Sequence, residues 1–101
     1  MAPKTYDQMM ADVKTQGSIA TYQMGVLRDI EGAGKLGIHV RKKISEQLRA
    51  HGLGHLPEDL PVYQEQPVRV FKRGTRLGRV IDAVLHPSSA GDSILRSIES
   101  D

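Results

Sequence analysis

The chain has 101 residues, 14 Lys and Arg against 12 Asp and Glu, a formal net charge of +2 and 39% hydrophobic residues. That is one domain's length with the composition of an ordinary soluble protein. No apolar run of about 18 residues exists to cross a membrane, and the start MAPKTYDQMMADV lacks the hydrophobic region of a secretion signal. Cysteine is absent, which excludes disulfides, thiolate metal sites and cysteine nucleophiles and is compatible with a reducing cytoplasm. With one Phe, three Tyr and no Trp, the core must be built from Ile, Leu, Val and Met.

Residues 1–4 are expected to be a flexible N-terminus and 5–99 a single globular domain. Thr5 to Gln8 has the form of a capping box, with Thr5 as N-cap and Gln8 reaching back. Tyr6, Met9, Met10 and Val13 then share a face, so a first helix runs from about 6 to 15 and Gly17 ends it. From Ser18 to Glu31 the residues Ile19, Tyr22, Val26, Leu27 and Ile30 follow helical spacing and predict a second helix. Gly25 weakens that helix unless a neighbour packs closely. Gly32-Ala33-Gly34-Lys35 lacks both the hydroxyl after Lys and the preceding strand of a phosphate loop, so it reads as a turn.

The most basic helical stretch follows, LGIHVRKKISEQLRAHGLGHL from Leu36 to Leu56. Val40, Ile44 and Leu48 recur every four residues and Leu53 lies just beyond, so one stripe faces a core. Arg41, Ser45 and Arg49 repeat on a neighbouring face, Lys42 and Lys43 widen the charge, and Gly52 suits a C′ position. Residues 57–67 hold three prolines and cannot form a helix. They predict an extended, packed connector anchored by Leu56, Leu60, Val62 and Tyr63, with Glu58, Asp59 and Glu65 as its acids.

Val68 to Phe71 alternates and is β-branched, which predicts a short strand; Lys72 to Thr75 is a turn. Leu77, Val80, Ile81, Val84 and Leu85 favour a helix capped by Thr75, and the alternative is a hairpin pairing 76–81 with 68–71. Ile94, Leu95 and Ile98 predict a last helix from about 90 to 99. The fold class is therefore mainly α, four to five helices with a short β element. A chain this small can also bury its first or last helix by homodimerising.

Segments 35–49 and 69–79 hold ten of the fourteen basic residues, with Glu46 as their only acid. Brought together they would form one cationic surface suited to phosphate. The histidines His39, His51, His55 and His86 form no HExxH-like cluster, so neither metal nor other cofactor is expected. His51 suits the C-terminal dipole of the basic helix. No spacing picks out a nucleophile, base and orienting group, so no enzyme is expected.

The order of two helices, a basic helix ending in HGLGHLP with Leu48, Gly52 and Leu53, and a β segment with KRG resembles the winged helix-turn-helix family over residues 18–75. The resemblance implies a winged-helix-like domain that binds double-stranded DNA as a small transcriptional regulator or architectural factor. It implies that His39, Arg41, Lys42, Ser45 and Arg49 face the major groove or its phosphates, and that Lys72 and Arg73 are wing residues. With a helix after residue 75, the wing is left with one strand. Arg41 and Arg49 are the candidates for guanine, and Lys42, Lys43, Lys72, Arg73 and Arg76 for phosphate. The alternative is a protein–protein interaction module, an adaptor or inhibitor, meeting an acidic partner with the basic face or using the 57–67 connector.

Overall fold

The first helix, α1 (Tyr6–Thr15), begins where Thr5 Oγ1 accepts the Gln8 N–H at 3.1 Å. Gln8 reaches back to the Lys4 N–H at 2.9 Å, one residue earlier than a capping box requires. The computed structural model describes residues 2–100, so Met1 of the expected flexible 1–4 segment and Asp101 lie outside them.

After α1 the chain departs from expectation. Gly17 and Ser18 both take positive φ, +84° and +75°, which breaks the helical path. Ile19–Gln23 is a strand, β1, not the first turns of the second helix. Ala20 and Tyr22 are buried while Thr21 and Gln23 are exposed, a period of two hidden inside spacing that also fits 3.6. Pairing with a distant strand decides between them.

Met24–Glu31 forms α2 and Ile38–Ala50 forms α3. Then come β2 (Leu53–Leu56), at the end of the stretch expected to hold the basic helix and its glycine stop, and β3 (Pro67–Lys72). The three strands make an antiparallel sheet in the order β1-β3-β2, with Tyr22 opposite Val68 and Leu53 opposite Lys72. Arg76–Leu85 is α4, capped by Thr75 as expected, and Ser89–Ser100 is α5. The hairpin alternative for 76–81 is not formed; β2 takes the place beside β3. The architecture is thus a small α+β domain of five helices and a three-stranded sheet among the described residues, with more sheet than a mainly α reading allowed.

One face of the sheet, with Ala20, Tyr22, Val68 and Val70, closes the core with Met9 and Val13 of α1, Leu27 of α2, and Ile44 and Leu48 of α3. The methionines Met9 and Met24 are fully buried filler. The 57–66 segment joins the hairpin strands and buries Leu60, but Val62 and Tyr63, expected anchors, are 47% and 63% exposed. Its backbone does other work. α2 has no side-chain cap, and its Met24 and Gly25 N–H groups donate to Gln66 O and Gln64 O, each at 2.9 Å. A Cβ at Gly25 would lie 3.4 Å from Gln64, so the close neighbour that justifies this glycine is the connector rather than a helix.

α4 meets the sheet at the end of β3, and Gly78 is where it comes close. A Cβ there would lie 2.7 Å from Lys72 O and 3.2 Å from Arg73 Cα. Helix propensity alone favours Gly78→Ala by about 1 kcal/mol, but backbone atoms cannot move aside cheaply. Gly78→Ala is therefore expected to lower the melting temperature; a rise would show that α4 does not rest on this turn.

Two tyrosines tie α1 to its surroundings. Tyr22 donates to the Asp12 carboxylate and Tyr6 to Glu31 at 2.8 Å. Burial first, then the acceptor carboxylate, keeps each phenol neutral well above the ordinary tyrosine range. The folded chain therefore holds a proton that the unfolded chain releases near pH 10, so stability falls as pH rises beyond about 10. Tyr22→Phe removes the share of that dependence due to Tyr22 and leaves that due to Tyr6. Its melting temperature should start below wild type near neutral pH, through the lost hydrogen bond, and the deficit should shrink above roughly pH 10; a constant deficit contradicts the assignment.

Candidate nucleic-acid interface

The third helix has two unlike sides. Ile44 and Leu48 are fully buried and Val40 packs against the core, which holds the helix at fixed rotation. The outer side exposes Ile38, His39, Lys42, Lys43, Glu46 and Arg49. His39, Lys42 and Arg49 lie three and seven residues apart, on one face over successive turns. Among the described residues none of these three side chains has a hydrogen-bond or ion-pair partner. Lys35, also exposed, extends the charge into the turn before α3.

Lys43 is tethered: its Nζ lies 3.3 Å from Glu31 Oε2, joining α2 to α3. Arg41 is further withdrawn. Its Nε donates to Leu36 O at 3.1 Å and its Nη1 to Leu60 O at 3.5 Å. The guanidinium that was the first candidate for guanine instead binds the α2–α3 turn to the connector. Ser45 is also engaged, with its Oγ 2.9 Å from His55 Nε2, while His55 Nδ1 lies 2.8 Å from Pro57 O. A carbonyl only accepts, so Nδ1 carries the hydrogen and Nε2 of the neutral ring accepts from Ser45. Arg41 and Ser45 are thus positioning residues for α3 rather than members of its outer face.

The basic turn after β3 is not the tip of the hairpin. Because Leu53 pairs with Lys72, that end of β3 lies beside the C-terminus of α3, and the β2–β3 loop is 57–66 at the opposite end. That loop carries Glu58, Asp59 and Glu65 and no Lys or Arg. Lys72 Nζ instead sits over Gly52, 2.9 Å from where a Cβ would stand, near the last carbonyls of α3. Gly52 itself has φ +70°, the expected C′ conformation.

Arg73 and Arg49 line one cleft of about 320 Å³ that wraps the edge strand β2, between α3 and α4. The two basic segments meet there, but Glu58 and Asp82 line the same cleft. The single cationic surface is therefore interrupted by acids at this end, while Lys35, His39 and Lys42 continue it toward the N-terminal half of α3. Arg76 is exposed on the first turn of α4.

No protein-family model, curated protein or solved structure matches this chain. Among the described residues no group of three His, Asp or Glu is placed to hold a metal ion. His51 at the α3 C-cap is occupied: Nδ1 lies 2.7 Å from Gln47 O, its ring stacks on Tyr6 at 5.4 Å, and Nε2 is 3.5 Å from Asp7. No described helix is long and apolar enough to cross a membrane.

The sequence reading missed Ile38. It is 69% exposed, the most exposed of the large apolar side chains. Its phase was the available signal, since it stands two residues before Val40 and falls off the 40-44-48 stripe.

Proposed function

We propose that the chain binds double-stranded DNA as a winged-helix-like domain, with the outer face of α3 in the major groove. The observation that carries this reading is that face. His39, Lys42 and Arg49 are unpartnered and exposed among the described residues, on a helix whose reverse side is locked into the core through Ile44 and Leu48. A second helix leading by a turn into an outward basic helix, followed by a β-hairpin, supports the helix-turn-helix part of the reading.

In this mechanism Lys35, Lys42, Lys43 and Arg49 displace counterions from phosphates, and side chains near the start of α3 meet base edges. Near that start, His39 faces the groove and Ile38 offers an apolar surface to a thymine methyl group. The acidic 57–66 loop repels phosphate, so it is not a backbone-gripping wing. Such a protein serves as a cytoplasmic transcriptional regulator or architectural factor.

Fluorescence anisotropy of a labelled duplex, titrated at several salt concentrations, tests the reading. Four phosphate contacts predict a slope of log K against log salt of about −3 to −4 per protomer. Absence of binding at low salt overturns it. One observation favours a second reading, a protein-docking module: Val62 and Tyr63 are exposed on the connector beside Glu58, Asp59 and Glu65. Substitutions at Tyr63 and Glu65, silent toward DNA, would then abolish partner capture.

A further inference from the structure

The helices α4 and α5 stand apart from the rest of the molecule. α5 packs chiefly on α4, where Gly91 lets it approach Ala83 closely; a Cβ on Gly91 would lie 3.3 Å from Ala83 Cα. No residue of either helix belongs to the main core cluster. Yet both are strongly amphipathic. Leu77, Val80, Ile81 and Val84 form a stripe along α4 at intervals of three, one and three, and Ile94, Leu95 and Ile98 form one along α5. Val84 is 61% and Ile98 45% exposed, and the others in these stripes are only half-buried.

The dimensions of the molecule agree with an uncovered face. Its radius of gyration is 14.4 Å, against about 12.7 Å for a compact domain of this length. Its accessible surface is 6523 Å², whereas a compact monomer of 11.1 kDa exposes about 5,700 Å². The excess, roughly 850 Å², is close to the 800 Å² or so that each partner buries in an interface of standard size.

We infer that the α4–α5 face is covered by a second copy of this chain, in a two-fold symmetric dimer. The charges on these helices choose this occupant. Arg76, Arg79 and Arg96 are balanced by Asp82, Asp92 and Glu99, so the surface can meet itself without like-charge repulsion, and it offers no net field to attract a strongly acidic or basic partner. A two-fold axis sets each apolar stripe against its own equivalent, as an isologous interface requires. This inference stands independently of DNA binding, because α3 lies outside the face. Where both hold, the dimer presents two copies of α3 to one duplex and the site is a pseudo-palindrome.

Sedimentation equilibrium of the full chain, with Val84→Glu and Ile98→Glu beside it, tests the inference. Both positions are exposed in the single chain, so neither change removes a core contact, and far-UV circular dichroism verifies that each variant keeps its helices. The expected result is a wild-type mass of two chains and a dimer dissociation constant raised at least about 100-fold by either glutamate, since each buries a charge at the interface. A wild-type mass of one chain across the micromolar range overturns it, as does a dimer that both variants leave intact.

Discussion

Lys42→Glu combined with Arg49→Glu is expected to lower duplex affinity at least about 100-fold, while Arg41→Ala is expected to lower stability and leave the binding of the folded protein nearly unchanged. The three residues look alike in sequence, basic and on one helix, but they end in different places. Lys42 and Arg49 are exposed with no partner among the described residues. Removing one phosphate contact, as in Lys42→Ala, should weaken binding roughly 5- to 10-fold and reduce the salt slope by about 1, and reversing two charges adds repulsion. Arg41 holds Leu36 O and Leu60 O. Deleting its charged donor leaves those carbonyls without it, at a cost of about 1–2 kcal/mol in a partly exposed setting. Denaturant melts together with anisotropy at matched folded fraction separate the two effects. An Arg41→Ala variant that folds like wild type but loses its salt slope contradicts the assignment.

The largest stability effect is expected at Leu48. Its side chain is fully buried, in the core cluster shared by the sheet and the first three helices. Leu48→Ala should cost about 2–5 kcal/mol, through lost apolar transfer and the cavity left behind. Against a total of roughly 5–15 kcal/mol for a domain, that removes a large part of the margin. Such a variant also loses DNA binding by unfolding, so binding experiments need the melting curve beside them. Val84→Ala, on an exposed position outside the core cluster, should change protomer stability by under about 0.5 kcal/mol. Similar costs at both positions would mean that the core does not sit where the sheet meets α3.

What could be read from the sequence was what local chemistry decides. Thr5 and Thr75 cap α1 and α4 in the expected places, the 40-44-48 stripe is the buried side of α3, and Gly52 takes the left-handed conformation. What could not be read depends on distant partners. Ile19, Tyr22 and Val26 satisfy helical spacing, and β1 becomes a strand only because Ala20 and Tyr22 meet Val70 and Val68 nearly fifty residues away. β2 is four residues of Leu, Gly, His and Leu, with little strand propensity of its own; pairing with β3 and the packing of the Phe71 ring over Gly54 make it.

The same division runs through the interface. The residue types on α3 were visible, but the carbonyls that occupy Arg41 come from the turn before α3 and from the connector, and the imidazole that occupies Ser45 comes from β2. From sequence, Lys72 and Arg73 form a turn before a helix, with a wing role only by resemblance and a hairpin tip only in the alternative pairing. Once β2 pairs with β3, the tip is the acidic 57–66 loop, and the basic turn moves to the C-terminal end of α3.

The most direct test of the central claim is an amide chemical-shift map of the protein titrated with a short duplex. The largest changes are expected on Lys35 and along the outer face of α3, at Ile38, His39, Lys42, Lys43 and Arg49, with little change in the 57–66 loop or α5. Changes centred on Val62, Tyr63 and Glu65, or none at any residue at low salt, would contradict it.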